Sequence, residues 1–256
     1  MRIIRDPVEV AAKLRDRNWQ MAGPVHKMLG PLLGEGVILA TGDAHTMLRK
    51  QLGKMPRPDL SKIIDTYTPP QHPTDLGDEM SRLSEQVIGA LFNHPLTGAA
   101  VLVRRCVALA PFRLLGLPLD WPWLRRLNRM LSTLPSWIPS EAMTPKQRRD
   151  WAASFVVAGI DTMSSDLTTQ LVGVKLLPIY WLPRRNVETG ELAILMLQEE
   201  HKFGAGFRRC AGEHIAREMA RLVLERFGIK VVSADLRKVG LITQRLRRVT
   251  CVITRR

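Results

Sequence analysis

The stretch Phe203-Gly-Ala-Gly-Phe-Arg-Arg-Cys-Ala-Gly212 decides how the rest of the chain is read. It sets one cysteine behind two glycines and two arginines, just ahead of a helix predicted from Glu213 to Phe227. A cysteine at that place faces unpaired backbone amides, which stabilise a thiolate and so make a metal ligand of it. Glycines at Gly204, Gly206 and Gly212 let the backbone fold tightly and bring amides near the sulfur. Arg208 stands where its guanidinium can form charge-assisted bonds to an anionic group. Two other uses of a glycine-rich loop fail on spacing: the third glycine of a dinucleotide fingerprint is missing, and no Gly-Lys-Ser/Thr follows to cradle phosphates. Cys210 and His214, four apart, can supply half a zinc site with His201 as a third candidate, but no second pair completes it. A buried cysteine without a ligand, in a glycine-rich turn, stays open as the plain structural alternative.

Upstream, Phe155-Val-Val-Ala-Gly-Ile-Asp-Thr-Met163 places a glycine, a carboxylate and a hydroxyl inside a long apolar helix. Burying an acid there is costly unless it has a partner or a task. A threonine in such a run bonds back to a carbonyl one turn earlier and loosens the helical ladder. A solvated groove on one side of the helix would account for Asp161 as well. Earlier still, Gly42-Asp-Ala-His-Thr-Met-Leu-Arg-Lys50 puts His45 and Arg49 four apart, on one helix face.

In this order, the three segments resemble the cytochrome P450 family. The family signature Phe-x-x-Gly-x-Arg-x-Cys-x-Gly is met at all of its fixed positions, by Phe203, Gly206, Arg208, Cys210 and Gly212. The oxygen-binding segment of the I helix, Ala-Gly-x-Asp-Thr, is met by Ala158, Gly159, Asp161 and Thr162, and the segment around His45 and Arg49 looks like the C helix. The resemblance implies haem b with Cys210 as the iron ligand and with Arg208, His45 and Arg49 on its propionates. Phe203 would shield the thiolate, Gly159 would thin the helix over the haem, and Asp161 with Thr162 would deliver protons. It implies a monooxygenase acting with O2 on a small hydrophobic substrate, fed by a ferredoxin- or flavodoxin-type electron donor docking near Arg208 and Arg209.

The chain departs from the family between the I helix and the cysteine loop, where too few residues remain for the J and K helices and the Glu-x-x-Arg of the K helix is absent. Glu79-Met-Ser-Arg82 and Glu218-Met-Ala-Arg221 fall elsewhere and are ordinary helical pairs. Leu182-Pro-Arg-Arg-Asn186 resembles the strand that follows the K helix, which makes Arg184 or Arg185 a further propionate contact, with Arg185 taken as the candidate. The expected fold is therefore mainly α with a minor β component, P450-like, truncated at the N-terminus and between the I helix and the cysteine loop. A non-catalytic haem binder or an inert remnant is the alternative within that ancestry. A basic helical interaction protein without haem is the alternative outside it.

With 45% apolar and 24% charged residues the chain reads as one soluble globular domain over residues 1–256, without a transmembrane segment or signal peptide, and so cytoplasmic. Three widely spaced cysteines give no disulfide framework. The net charge of +14 suits nucleic acid, but the arginine pairs are scattered and no recognition motif accompanies them, so no nucleic acid is expected; a basic face for an acidic protein partner explains the charge equally well. Periodicity predicts helices over 6–17, 43–51, 75–92 and 144–174, a helix-rich block over 96–115, a long connection over 55–73, and a hairpin turning at Thr189-Gly190. The C-terminus reads as short strands. Residues 116–140, with Trp121, Trp123 and Trp137 among prolines, read as a loop anchored by its aromatics or as an amphipathic patch on a membrane surface.

Overall fold

The computed structural model describes residues 2–116, 122–135, 143–177, 179, 181–240 and 243–256, with the backbone alone at 24 and 53. Its centre is the helix predicted from the Thr144 cap, here α8 (Pro145–Val172). Thr144 accepts from the Gln147 amide while the Gln147 side chain accepts from the Thr144 amide, a reciprocal cap that fixes where the helix starts. Most of α8 is buried, from Asp150 and Trp151 to Thr169, because other helices pack around it on nearly all sides.

Those helices are α2 (Gly23–Leu33), α5 (Leu76–Leu91), α6 (Ala99–Leu109), α7 (Pro122–Thr133) and α9 (Glu213–Arg226). The tightest neighbour is α5. Rings of Phe92 and Phe155 meet edge-on at 6.4 Å, and Trp151 tilts over Phe155 at 5.2 Å. A Cβ on Gly159 would stand 2.7 Å from Ile88 Cδ1, so this glycine lets α5 approach α8. Its observed task is helix packing.

Two sheets flank the helices. One has the order β1-β5-β4-β2, from Arg2–Ile4, Leu192–Met196, Trp181–Asn186 and Trp19–Met21. Its β4–β5 hairpin turns where Thr189-Gly190 predicts, and β1 joins in parallel. With α1 (Pro7–Arg15) it encloses a small second core of Ile4, Val10, Leu14, Trp19, Ala193, Leu195 and Leu197. The other sheet, β3-β7-β6, is built on a long antiparallel hairpin, β6 (Phe227–Val239) and β7 (Arg245–Arg255), with β3 (Thr74–Asp75) at its edge.

Three expectations need correction. The connection over 55–73 contains α4 (Leu60–Thr66), capped by Asp59 and anchored by buried Leu60 and Ile64. Within 116–140, residues 122–133 are helix rather than loop: Leu124, Leu127 and Leu131 recur at helical spacing and are buried. The C-terminal strands are longer than read. Residues 117–121 and 136–142, with Trp121 and Trp137, lie outside the described residues. Among the described residues, no helix is long and apolar enough to cross a membrane.

Candidate functional site

The Cys210 loop is closed by its own backbone. The Cys210 amide donates to the Phe203 carbonyl at 2.7 Å, and the Gly204 amide to the His201 carbonyl at 2.8 Å. Gly204 and Gly206 both adopt left-handed backbone, φ 73° and 60°, and a Cβ at Gly206 would lie 3.0 Å from Arg15 Cα of α1. These two positions need glycine. Gly212 does not: its φ of −89° is ordinary and the space beyond it is open, so the expectation that it tightens the loop is corrected.

Cys210 ends this loop just before α9 and is exposed on the surface. Surrounding protein raises its thiol pKa, while hydrogen bonds from the Gly212 and Glu213 amides and the charge of Arg49 act the other way. Glu213 bonds to Arg209 and Arg217, which hold its carboxyl down at about 2.

Distant segments bring cations to the same place. On α3 (Gly42–Gln51), Arg49 Nη1 donates to the Arg209 carbonyl at 2.8 Å. His45, one turn earlier, is buried edge-on to the Phe207 ring at 5.6 Å, and burial followed by Arg208, Arg49 and Arg184 lowers its pKa to about 4. Arg208 lies over Phe207 and donates through Nη2 to the Ala40 carbonyl at 3.2 Å. Arg184, on β4, is only 5% exposed, and burial followed by Arg208 lowers its pKa to about 9. His26 on α2 is lowered by burial and by Arg208 as well. Among the described residues none of Arg49, Arg184 and Arg208 is in an ion pair. Arg184 Nη1 and Arg208 Nε are buried without any partner.

Of the adjacent Arg184 and Arg185, it is Arg184 that reaches this cluster. Successive side chains on a strand face opposite ways, and on β4 this buries Arg184 beside Arg208 while Arg185 faces out. His26 escaped sequence reading because nothing near it in the chain marks it; only the fold brings it to Arg208.

On α8, Ala158, Gly159, Thr162, Asp166 and Gln170 are partly exposed and form the least enclosed side of this buried helix. Thr162 Oγ1 donates to the Ala158 carbonyl at 2.7 Å, one turn back. Asp161 is buried and looks elsewhere. Thr243 bonds its carboxyl, Arg245 and Arg104 add their charges, and Oδ2 has no partner; burial outweighs these and raises its pKa. The Phe203 ring lies near both Lys202 and Arg217, lining a cavity of about 250 Å³ with Asp166, Gln170 and Leu224 between α8 and α9. Among the described residues no three His, Cys, Asp or Glu side chains gather as a metal cluster.

No family model and no curated protein matches the chain by sequence. Solved structures do match. A six-coordinated cytochrome P450 from Thermus thermophilus superposes with a TM-score of 0.70 at 19% identity, over 98% of this chain and 92% of that one. CalO2 gives 0.74 at 14%, over 98% and 90%, and the tirandamycin C-bound P450 monooxygenase TamI gives 0.74 at 15%, over 98% and 89%. The helices, the two small sheets and the cysteine loop ahead of α9 thus form a cytochrome P450-like fold, carried by 256 residues where typical P450s are longer.

Proposed function

We propose that the chain is a haem-thiolate monooxygenase that inserts one oxygen atom of O2 into a small hydrophobic compound. The observation that carries this reading is the chain of Arg49, beside Cys210, Arg208 and Arg184, with two buried guanidinium nitrogens left unpartnered. Buried cations without anions cost several kcal/mol, on the order of 3–5 when a pair is broken, so the cluster suits a ligand that brings carboxylates. Haem b fits this donor set: its iron takes a thiolate and its two propionates take guanidiniums.

Cys210 would hold the iron, and Arg184, Arg208, Arg49 and His45 the propionates. When bound, the haem supplies oxygen activation, driven by two electrons from a ferredoxin- or flavodoxin-type donor. The polypeptide does the rest. The Gly212 and Glu213 amides favour the negative sulfur. Thr162, on the partly open side of α8, would pass protons through its hydroxyl; Asp161, beside it in the chain, turns instead toward Thr243 and Arg245. The exposed Arg209 and Arg217 offer the donor a basic surface.

The test is the absorption spectrum of the reduced, CO-treated protein. A strongly red-shifted Soret band that disappears in Cys210→Ala is the expected result; failure to retain haem overturns the reading. A haem binder without oxygenase activity is the second reading, favoured by the eight residues that lead from α8 straight to β4. Thr162→Ala separates the two: in a monooxygenase it diverts reducing equivalents to peroxide, and in a mere binder it changes nothing.

A further inference from the structure

The cavity of about 250 Å³ between α8 and α9 has a covered end and an exposed end, and the two differ in chemistry. At the covered end, Asp166 and Gln170 stand one turn apart on α8, with Gln170 Nε2 donating to Asp166 Oδ2 at 2.8 Å. Lys202 lies 3.5 Å from Asp166 Oδ1, and both side chains are mostly covered. At the other end, Arg217 on α9 is 62% exposed. Phe203 lies between them, its ring centre 5.4 Å from the Lys202 ammonium and 4.9 Å from the Arg217 guanidinium. Ala220 and Leu224 follow Arg217 at steps of three and four, on the same face of α9, and complete an apolar wall.

Three cations line this cavity, and two are already engaged. Lys202 pairs with Asp166 and, at 2.9 Å, with Glu199. Arg221 gives all three guanidinium nitrogens to Glu218 and Glu225. Arg217 differs. Its Nε donates to Glu213 Oε1 at 2.9 Å and its guanidinium lies over Phe203, so the group is held at one edge and on one face. Among the described residues, neither of its terminal nitrogens has an acceptor. A guanidinium fixed in this way presents a fork of N–H donors that matches a carboxylate, with little rotamer freedom left to lose.

We infer that the cavity binds a small aromatic carboxylic acid, its carboxylate on the Arg217 fork and its ring beside Phe203 and Leu224. Asp166 would repel a carboxylate at the covered end, which sets the direction of the ligand. There Gln170 Oε1 and Asp166 accept a hydrogen bond from a hydroxyl or amino group on the far side of the ring. Binding needs no haem. The Phe203 carbonyl accepts the Cys210 amide at 2.7 Å, so the ligand touches the residue that closes the cysteine loop.

The purified full chain is titrated with para-hydroxybenzoate in a calorimeter. One molecule binds per chain, with a Kd of about 0.1–1 mM for a ligand of about ten non-hydrogen atoms. Loss of the carboxylate, in para-hydroxybenzyl alcohol, or of the fork, in Arg217→Gln, weakens binding at least about ten-fold. para-Toluate, which has no donor for Gln170 or Asp166, binds about five-fold more weakly. Leu224→Trp fills the cavity and abolishes binding while the circular dichroism stays that of the parent. Arg237→Gln, an exposed arginine on β6, changes nothing. Absence of binding at about ten times the expected Kd overturns the inference, as does full binding by Arg217→Gln or by a folded Leu224→Trp. Binding lost in Arg184→Gln and kept in Arg217→Gln overturns it too, and assigns the acid to the arginines proposed for haem, whose own test is the Soret band.

Discussion

Arg184 and Arg185 are adjacent, and one turns inward while the other turns out. Arg184→Gln removes a buried cation that has an unpartnered nitrogen, so thermal melting of the haem-free protein moves up, by about 1–3 kcal/mol of stability. The same change weakens hemin binding at least about ten-fold through the lost charge-assisted bonds. Arg185→Gln leaves both measurements unchanged. His45 gives a pH signature. Its folded pKa, about 4, lies below the unfolded 6.5, so the unfolded chain binds the extra proton between them and stability falls as pH drops through that window. The loss reaches about 3 kcal/mol at most, and pH-dependent denaturant titration of His45→Gln lacks it. At this scale the sequence was informative where a residue sits in a motif: Cys210, Arg208, Arg49 and His45 all come to one place. It was silent on Arg184 against Arg185, because the phase of a strand depends on what the sheet packs against.

α8 shows how one helix divides its work between faces. Thr162 is partly exposed on one side, while Asp161 reaches Thr243 beside the β6–β7 hairpin, where Ser165 also donates to the Gln244 carbonyl at 2.5 Å. Burial raises the Asp161 pKa above its unfolded value, so the contribution it makes at low pH is lost as pH rises. Asp161→Asn is therefore expected to gain stability over the parent on going from pH 4 to pH 8, read from melts across that range. Thr144→Ala, which breaks the reciprocal cap, costs about 1 kcal/mol in the same assay. Elements with such local signals were legible, as were the amphipathic α5 and the Thr189-Gly190 hairpin. α4 was not, because seven residues with two buried anchors carry almost no periodicity. β1 and β2 are three residues each, and only pairing with strands more than 160 residues away makes them strands.

Across the whole molecule, the candidate cofactor residues are divided between two cores. Arg184 belongs to the sheet over the smaller one; Arg49 and the start of α9 belong to the larger. A ligand held by all of them ties the two together. Amide exchange in β4 and β5 is accordingly expected to be faster than in α8 without haem, and to slow markedly when hemin is added. The overall architecture was readable from the order of three motifs, although identity to the solved structures is only 19% or less for those compared. The link from α8 to β4, residues 173–180, is a matter of polymer statistics. Loop-closure entropy grows with the logarithm of length, at about 0.6 kcal/mol per doubling. Stretching these eight residues eight-fold would cost only about 2 kcal/mol, so whole helices can be gained or lost at this point while the rest of the fold keeps its shape.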